Sequence, residues 1–145
     1  MSFLFTSRDL VLQKEAGASQ TTILELIQDP VKLCTLSPLV IGVEVDKDDP
    51  MVVYVTEKLV LLGFFKTTTK FTCKVKVLPG GVVADVTADL GTRLINHMWV
   101  EKNTDGTTLI NEHTKVEALF FFMPFVYSTM SEAHNAVMDK LAAMS

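Results

Sequence analysis

A chain of 145 residues with five prolines, seven glycines and 21% charged residues does not fit a collagen-like or disordered class, and it is long enough to bury a core without a metal or disulfide staple. Its net charge of −4 has the opposite sign to the footprint of a duplex-binding protein and argues against a nucleic-acid partner. The feature to explain is apolarity: 48% hydrophobic residues with nine Phe and seven Met, at a mean hydropathy of +0.32.

No apolar run approaches the ~20 residues of a membrane helix. Arg8 and Asp9 interrupt the cluster at Phe3, Leu4 and Phe5 before the core of a leader peptide can form. The expectation is a cytoplasmic protein without stable membrane insertion. Cys34 and Cys73 stand apart with no CxxC spacing or His-rich tract, so they read as reduced, buried thiols rather than a zinc site or a disulfide. Neither a metal nor a cofactor is expected.

In chain order, Ser2 to Leu12 is rich in Phe, Leu, Val and Thr and predicts a first strand, followed by a loop from Lys14 to Gln20. Thr22-Ile23-Leu24-Glu25 has capping-box spacing and predicts a short helix with Ile23, Leu24 and Ile27 on its apolar face. Asp29-Pro30 ends it and starts a second, with Asp29 as N-cap and Pro30 at the first helical position, until Ser37-Pro38 stops the chain.

The pattern then changes to period two. Ile41, Val43 and Val45 predict one strand and Val52 to Leu62 another, separated by a turn at Asp48-Asp49-Pro50. The alternation is clearest at Phe65, Thr67, Thr69, Phe71, Cys73, Val75 and Val77, with lysines and threonines between them, which predicts one buried and one solvated face. After the Pro79-Gly80-Gly81 turn, Val82 to Asp89 sets Asp85 and Asp89 among those lysines, so the lysines read as one half of a charge-balanced surface. Leu94 to Lys102 and Thr108 to Leu119 follow, joined by a hairpin at Asp105-Gly106. The chain ends in a helix opened by Pro124, with Val126, Met130, Ala133, Val137, Leu141 and Met144 in one stripe. Only the buried face of the sheet is large enough to cover that stripe. The predicted class is α+β: a seven-stranded antiparallel sheet, two short helices after the first strand, and a long C-terminal helix laid across it.

This order of elements resembles the helix-grip fold of the START-like (SRPBCC) superfamily, which includes Bet v 1-type allergens, lipid-transfer domains and aromatic polyketide cyclases. The resemblance spans nearly the whole chain, residues 1–145, as one domain. Leu36-Ser37-Pro38-Leu39-Val40 supports it, as does Trp99-Val100-Glu101-Lys102 followed by Asp105-Gly106-Thr107, similar to a hairpin of polyketide-cyclase-like members. Phe5-Thr6-Ser7 and Leu90-Gly91 add a narrower resemblance to an uncharacterised fungal START-like family. What it implies is a hydrophobic small molecule or lipid held between the sheet and the last helix.

On the residues themselves, Tyr54, Phe71, Trp99, Met123, Met130 and Val137 are the expected ligand contacts, the flexible thioethers conforming to irregular shapes. Glu112 shares a strand face with Ile110, Thr114, Val116 and Ala118, so the sheet would aim it inward as a general acid or base. His97 and Trp99 share one face of the preceding strand and neither face of that strand is clearly wet. With His97 inward, Glu112 and His97 would form a proton-transfer pair for a cyclase, isomerase or dehydratase acting on a polyketide- or terpenoid-like substrate. His134 is expected at the edge of the helical stripe, solvated. A cavity-less interaction module is the third reading, and a homodimer is compatible with all three.

Overall fold

A computed structural model describes residues 4–61 and 63–145 of the chain. Ser2 and Phe3, which begin the predicted first strand, and Leu62, which ends the predicted third, lie outside the described residues. The elements run β1 (Phe5–Ala16), α1 (Gln20–Ile27), α2 (Pro30–Thr35), β2 (Val40–Val45), β3 (Val52–Leu61), β4 (Phe65–Leu78), β5 (Gly81–Ala88), a 3-10 turn (Asp89–Gly91), β6 (Arg93–Lys102), β7 (Thr108–Leu119) and α3 (Met123–Ala142). Among the described residues the strands form one seven-stranded antiparallel sheet in the order β1-β7-β6-β5-β4-β3-β2. From β2 to β7 the chain meanders. The two short helices carry it from β1, at one edge, to β2 at the other.

Three features depart from the sequence reading, each for a local reason. β1 continues through Ala16 because its polar end finds cross-strand partners: Gln13 Nε2 donates to Asn111 Oδ1 at 2.8 Å, and Glu15 Oε1 accepts from Asn103 Nδ2 at 2.9 Å. α1 begins at Gln20, two residues before Thr22, since Ser19 is the N-cap and its Oγ accepts the Thr22 amide at 3.2 Å. In β2 the register shifts between Val40 and Gly42, so Val40 and Val43 pack on the core whereas Ile41 is 58% exposed. A bulge inserts one residue and reverses the side chains beyond it, which an uninterrupted alternation could not anticipate.

The other elements follow their predicted logic. Asp29 caps α2 through the Lys32 amide, with Pro30 in its first turn. The β6–β7 hairpin is closed by Asp105, whose Oδ1 accepts from the amide and hydroxyl of Thr107. Gly81 is required where it stands: a Cβ there would lie 2.5 Å from the Met98 carbonyl oxygen. On the outer face Lys74 is opposite Asp85, but the closest partner of Asp85 is Arg93 of β6, which grips both carboxylate oxygens at 3.1 and 2.8 Å. That guanidinium pair, aided by Lys74, holds Asp85 below the usual carboxylate range.

α3 packs chiefly on β1 and β7, burying Met130, Ala133, Val137, Met138 and Leu141. The main core lies between α1, the C-terminal half of α3 and the sheet, with Ile23, Ile27, Met98, Ile110, Met138 and Leu141 fully buried. Each such side chain contributes about 1.5–3 kcal/mol through burial. A smaller cluster of Leu10, Val116, Ala118, Met123 and Met130 lies under the N-terminal half of α3. No helix among the described residues is long and apolar enough to cross a membrane.

Candidate functional site: a cavity under the last helix

The two clusters do not fill the space under α3. A cavity of about 600 Å³ remains between the inner faces of the central strands, α2 and α3, with walls that include Phe71, Val86, Leu94, Met98, Met130 and Val137. Leu90 and Phe122 line it and are also solvent-exposed, so the cavity opens at the end of the sheet where they stand.

Among these apolar walls, one chain of hydrogen bonds gathers polar groups from three elements. Asn96 on β6 is opposite Thr114 on β7, and its Nδ2 donates to Thr114 Oγ1 at 2.7 Å. Glu112, two residues before Thr114 on the same inward face, accepts the Thr114 hydroxyl at 2.8 Å. His134 Nδ1 on α3 meets the same Glu112 oxygen at 2.6 Å. An amide nitrogen can only donate, so Thr114 accepts there and must spend its own proton on Glu112. Glu112 Oε2 is thereby an acceptor, the natural partner for an Nδ1–H of His134. That tautomer leaves Nε2 as the basic nitrogen. Glu112 is 2% exposed, and Asn96, Glu112 and His134 all line the cavity.

A second carboxyl faces the same space. Glu57 on β3 lines the cavity, and burial pushes its carboxyl above its ordinary value of 4.5, with nearby His134 pulling it the other way. Cys34 and Cys73 also line the wall, and the neighbouring Cys73 thiol together with burial drives the Cys34 thiol far up. Both are free thiols. No group of three or more His, Cys, Asp or Glu among the described residues is arranged to hold a metal ion.

The residues singled out from sequence divide. Glu112, Phe71, Met130 and Val137 are on the cavity wall. Met123 is buried in the smaller cluster beside it. Trp99 and His97 are on the outer face of β6, their rings 4.6 Å apart, because that strand turns Asn96, Met98 and Val100 inward; a Glu112–His97 pair is therefore ruled out by geometry. Tyr54 is also outside, its hydroxyl donating to Asp46 Oδ1 at 2.6 Å. His134, expected in solvent, is instead the partner of Glu112. The available signal was its spacing: it follows Met130 by four residues and precedes Met138 by four, on the stripe that α3 buries. Glu57 was missed because it stands between Thr56 and Lys58 on β3, a short polar run that does not show which side chain faces inward.

This combination, an antiparallel sheet gripping a long C-terminal helix around a cavity, is the START-like helix-grip fold, and the solved structures agree. The chain is similar to a START superfamily protein from Mycobacterium smegmatis, at 14% identity and TM-score 0.67 over 92% of this chain and 96% of that one. It is similar to a point mutant of norcoclaurine synthase from Thalictrum flavum, at 15% identity and TM-score 0.67 over 96% and 93%. The protein XoxI from Bacillus cereus matches at 11% identity and TM-score 0.66 over 93% and 96%. Within that fold, the chain belongs to the family described as Domain of unknown function (DUF7053), which matches residues 16–145. Among curated proteins, none matches its sequence.

Proposed function

We propose that the chain, as a single START-like domain of a fungal branch working in the cytoplasm, binds a hydrophobic small molecule or lipid between the sheet and α3. The observation that supports this is the cavity: about 600 Å³ of apolar-walled space open at one end, in the size range of small-molecule sites. Phe71, Met130 and Val137 would supply contact area, and the few polar groups that converge on Glu112 would orient the guest. Native mass spectrometry of the purified protein, with solvent extraction, should release a bound apolar compound. Nile red should enter the cavity, and Ala133→Phe on the cavity face of α3 should exclude it at little cost in stability, because the added ring fills existing space. Equal dye uptake by both proteins would reject the site.

The hydrogen-bond chain favours a second reading, general acid–base catalysis in the same cavity. His134 Nε2 would take a proton from the substrate, the Glu112 carboxylate would stabilise the imidazolium formed at Nδ1, and Glu57, where it holds its proton, would deliver it to a developing oxyanion. Such steps fit a cyclase, isomerase or dehydratase acting on a polyketide- or terpenoid-like substrate. Norcoclaurine synthase, which shares the fold, has been solved in complex with dopamine and hydroxybenzaldehyde, so the architecture accommodates aromatic guests. Glu112→Gln and His134→Gln should each lower turnover by about 100-fold or more while preserving binding; unchanged turnover would reject the catalytic reading and leave the binding one standing.

A further inference from the structure

The exposed apolar side chains are not scattered. In an antiparallel sheet, the β3–β4, β5–β6 and β7–α3 connections all fall at the same end, and here each is tipped with large apolar residues. Phe64 at the first is 77% exposed, Leu90 at the second 60% and Phe121 at the third 59%, with Phe65, Phe120 and Phe122 exposed beside them. Phe120, Phe121 and Phe122 form a continuous aromatic cluster, with ring centroids 5.4 and 4.9 Å apart. Leu90 is held outward at a cost: it has φ of 59°, a left-handed conformation that an apolar residue adopts only when its surroundings impose it. The neighbouring Gly91 also has positive φ, and a Cβ there would lie 2.8 Å from the Phe5 ring. Leu90 and Phe122 also line the cavity, so this apolar rim is the cavity mouth.

Charge says what covers it. The β3–β4 hairpin from residue 58 to 70 carries Lys58, Lys66 and Lys70 and no acidic residue, in a chain of net charge −4. All three lysines are exposed, and Lys66 is directly opposite Val60 near the hairpin tip. Asp89 is exposed on the rim, while Glu117 is opposite Arg93 in the sheet. Aromatic tips from separate loops, backed by lysines, match the layered chemistry of a membrane surface: acyl boundary first, anionic headgroups behind it.

We propose that the cavity-mouth end of this protein docks peripherally on an anionic bilayer, with Phe64, Phe65, Leu90 and Phe121 at the acyl boundary and Lys58, Lys66 and Lys70 against the headgroups. Docking in this orientation would open the cavity directly onto the lipid. It extends beyond ligand binding, and vesicle binding reads it without any cavity ligand.

The test is flotation of the full chain with vesicles of phosphatidylcholine alone and with about 30% phosphatidylserine added. The protein should float with the anionic vesicles and only weakly with the neutral ones. Phe64→Ser with Phe65→Ser should reduce binding at least about tenfold, and replacing all three lysines by Gln on the order of 100-fold. Val11→Ser, which removes an exposed apolar side chain from the middle of β1, should change nothing. All these positions are exposed, and circular dichroism checks that the variants fold. Absence of flotation, or equal flotation by wild type and the double Phe variant, overturns the proposal. So does a wild-type dimer, seen by ultracentrifugation, that the double Phe variant dissolves while neither protein binds vesicles, since the rim would then be covered by a second copy.

Discussion

At the scale of single residues, the informative groups are polar side chains that the fold has turned inward. Glu112 was legible because its strand alternates cleanly, and an acid in register with Ile110, Thr114 and Val116 has one direction to point. His97 and Trp99 were not, because both faces of their strand carry apolar residues; what decides the matter is that Asn96 finds a buried partner in Thr114, a pairing across strands that no single segment displays. Glu57 makes a pH prediction. The folded protein holds its proton more tightly than the unfolded chain, because burial disfavours the carboxylate. Its contribution to stability is therefore intact below the ordinary value of 4.5 and is lost as pH rises through the raised value. Glu57→Gln should match the wild type in urea denaturation below that ordinary value and become the more stable of the two as pH rises. Parallel pH profiles for the two proteins would show that Glu57 is solvated.

At the scale of elements, regular periodicity carried furthest. β4 and α3 each bury one stripe, and period two or 3.6 over a long element fixes which residues face the core. The short elements were less legible for physical reasons. A six-residue strand containing a bulge, such as β2, has no alternation long enough to outvote one inserted residue. The start of α1 depends on which of two hydroxyl residues, Ser19 or Thr22, caps the helix, and in fact they contact each other, their oxygens 3.0 Å apart. Close approach between strands is equally invisible in one dimension. Gly81 is opposite Trp99, and a Cβ added to it would run into the Met98 carbonyl, so Gly81→Ala should push β5 and β6 apart where they pair. A destabilisation on the order of 1–3 kcal/mol is expected in thermal or urea melts; an unchanged midpoint would mean that the strand pair shifts to make room.

At the scale of the whole molecule, the apolarity of the sequence has two destinations. Part of it is packed in the two clusters, and part faces a space that protein atoms leave empty. An unfilled cavity forgoes dispersion contacts along its lining, so a guest that fits should stabilise the protein measurably. At a hundredfold excess over Kd, mass action adds about 2.7 kcal/mol, which for a chain of this length raises Tm by roughly 8 °C. A Tm rise in the wild type that is absent in Ala133→Phe would tie the effect to the cavity; equal rises would place the compound elsewhere.

The strand order also bears on how the protein is made. β3 to β7 each pair with their predecessor as they are completed, but β1 pairs only with β7, from Phe5 against Leu119 to Ala16 against Thr108. The first strand to leave the ribosome is thus the last to find its place, and the longest ladder in the sheet must wait for nearly the whole chain. Pairings so distant in sequence make folding slow. Until β1 arrives, the edge of β7 and the surface that α3 will cover stand open to wrong partners. Biogenesis, more than the finished structure, is where this topology exposes the chain to aggregation.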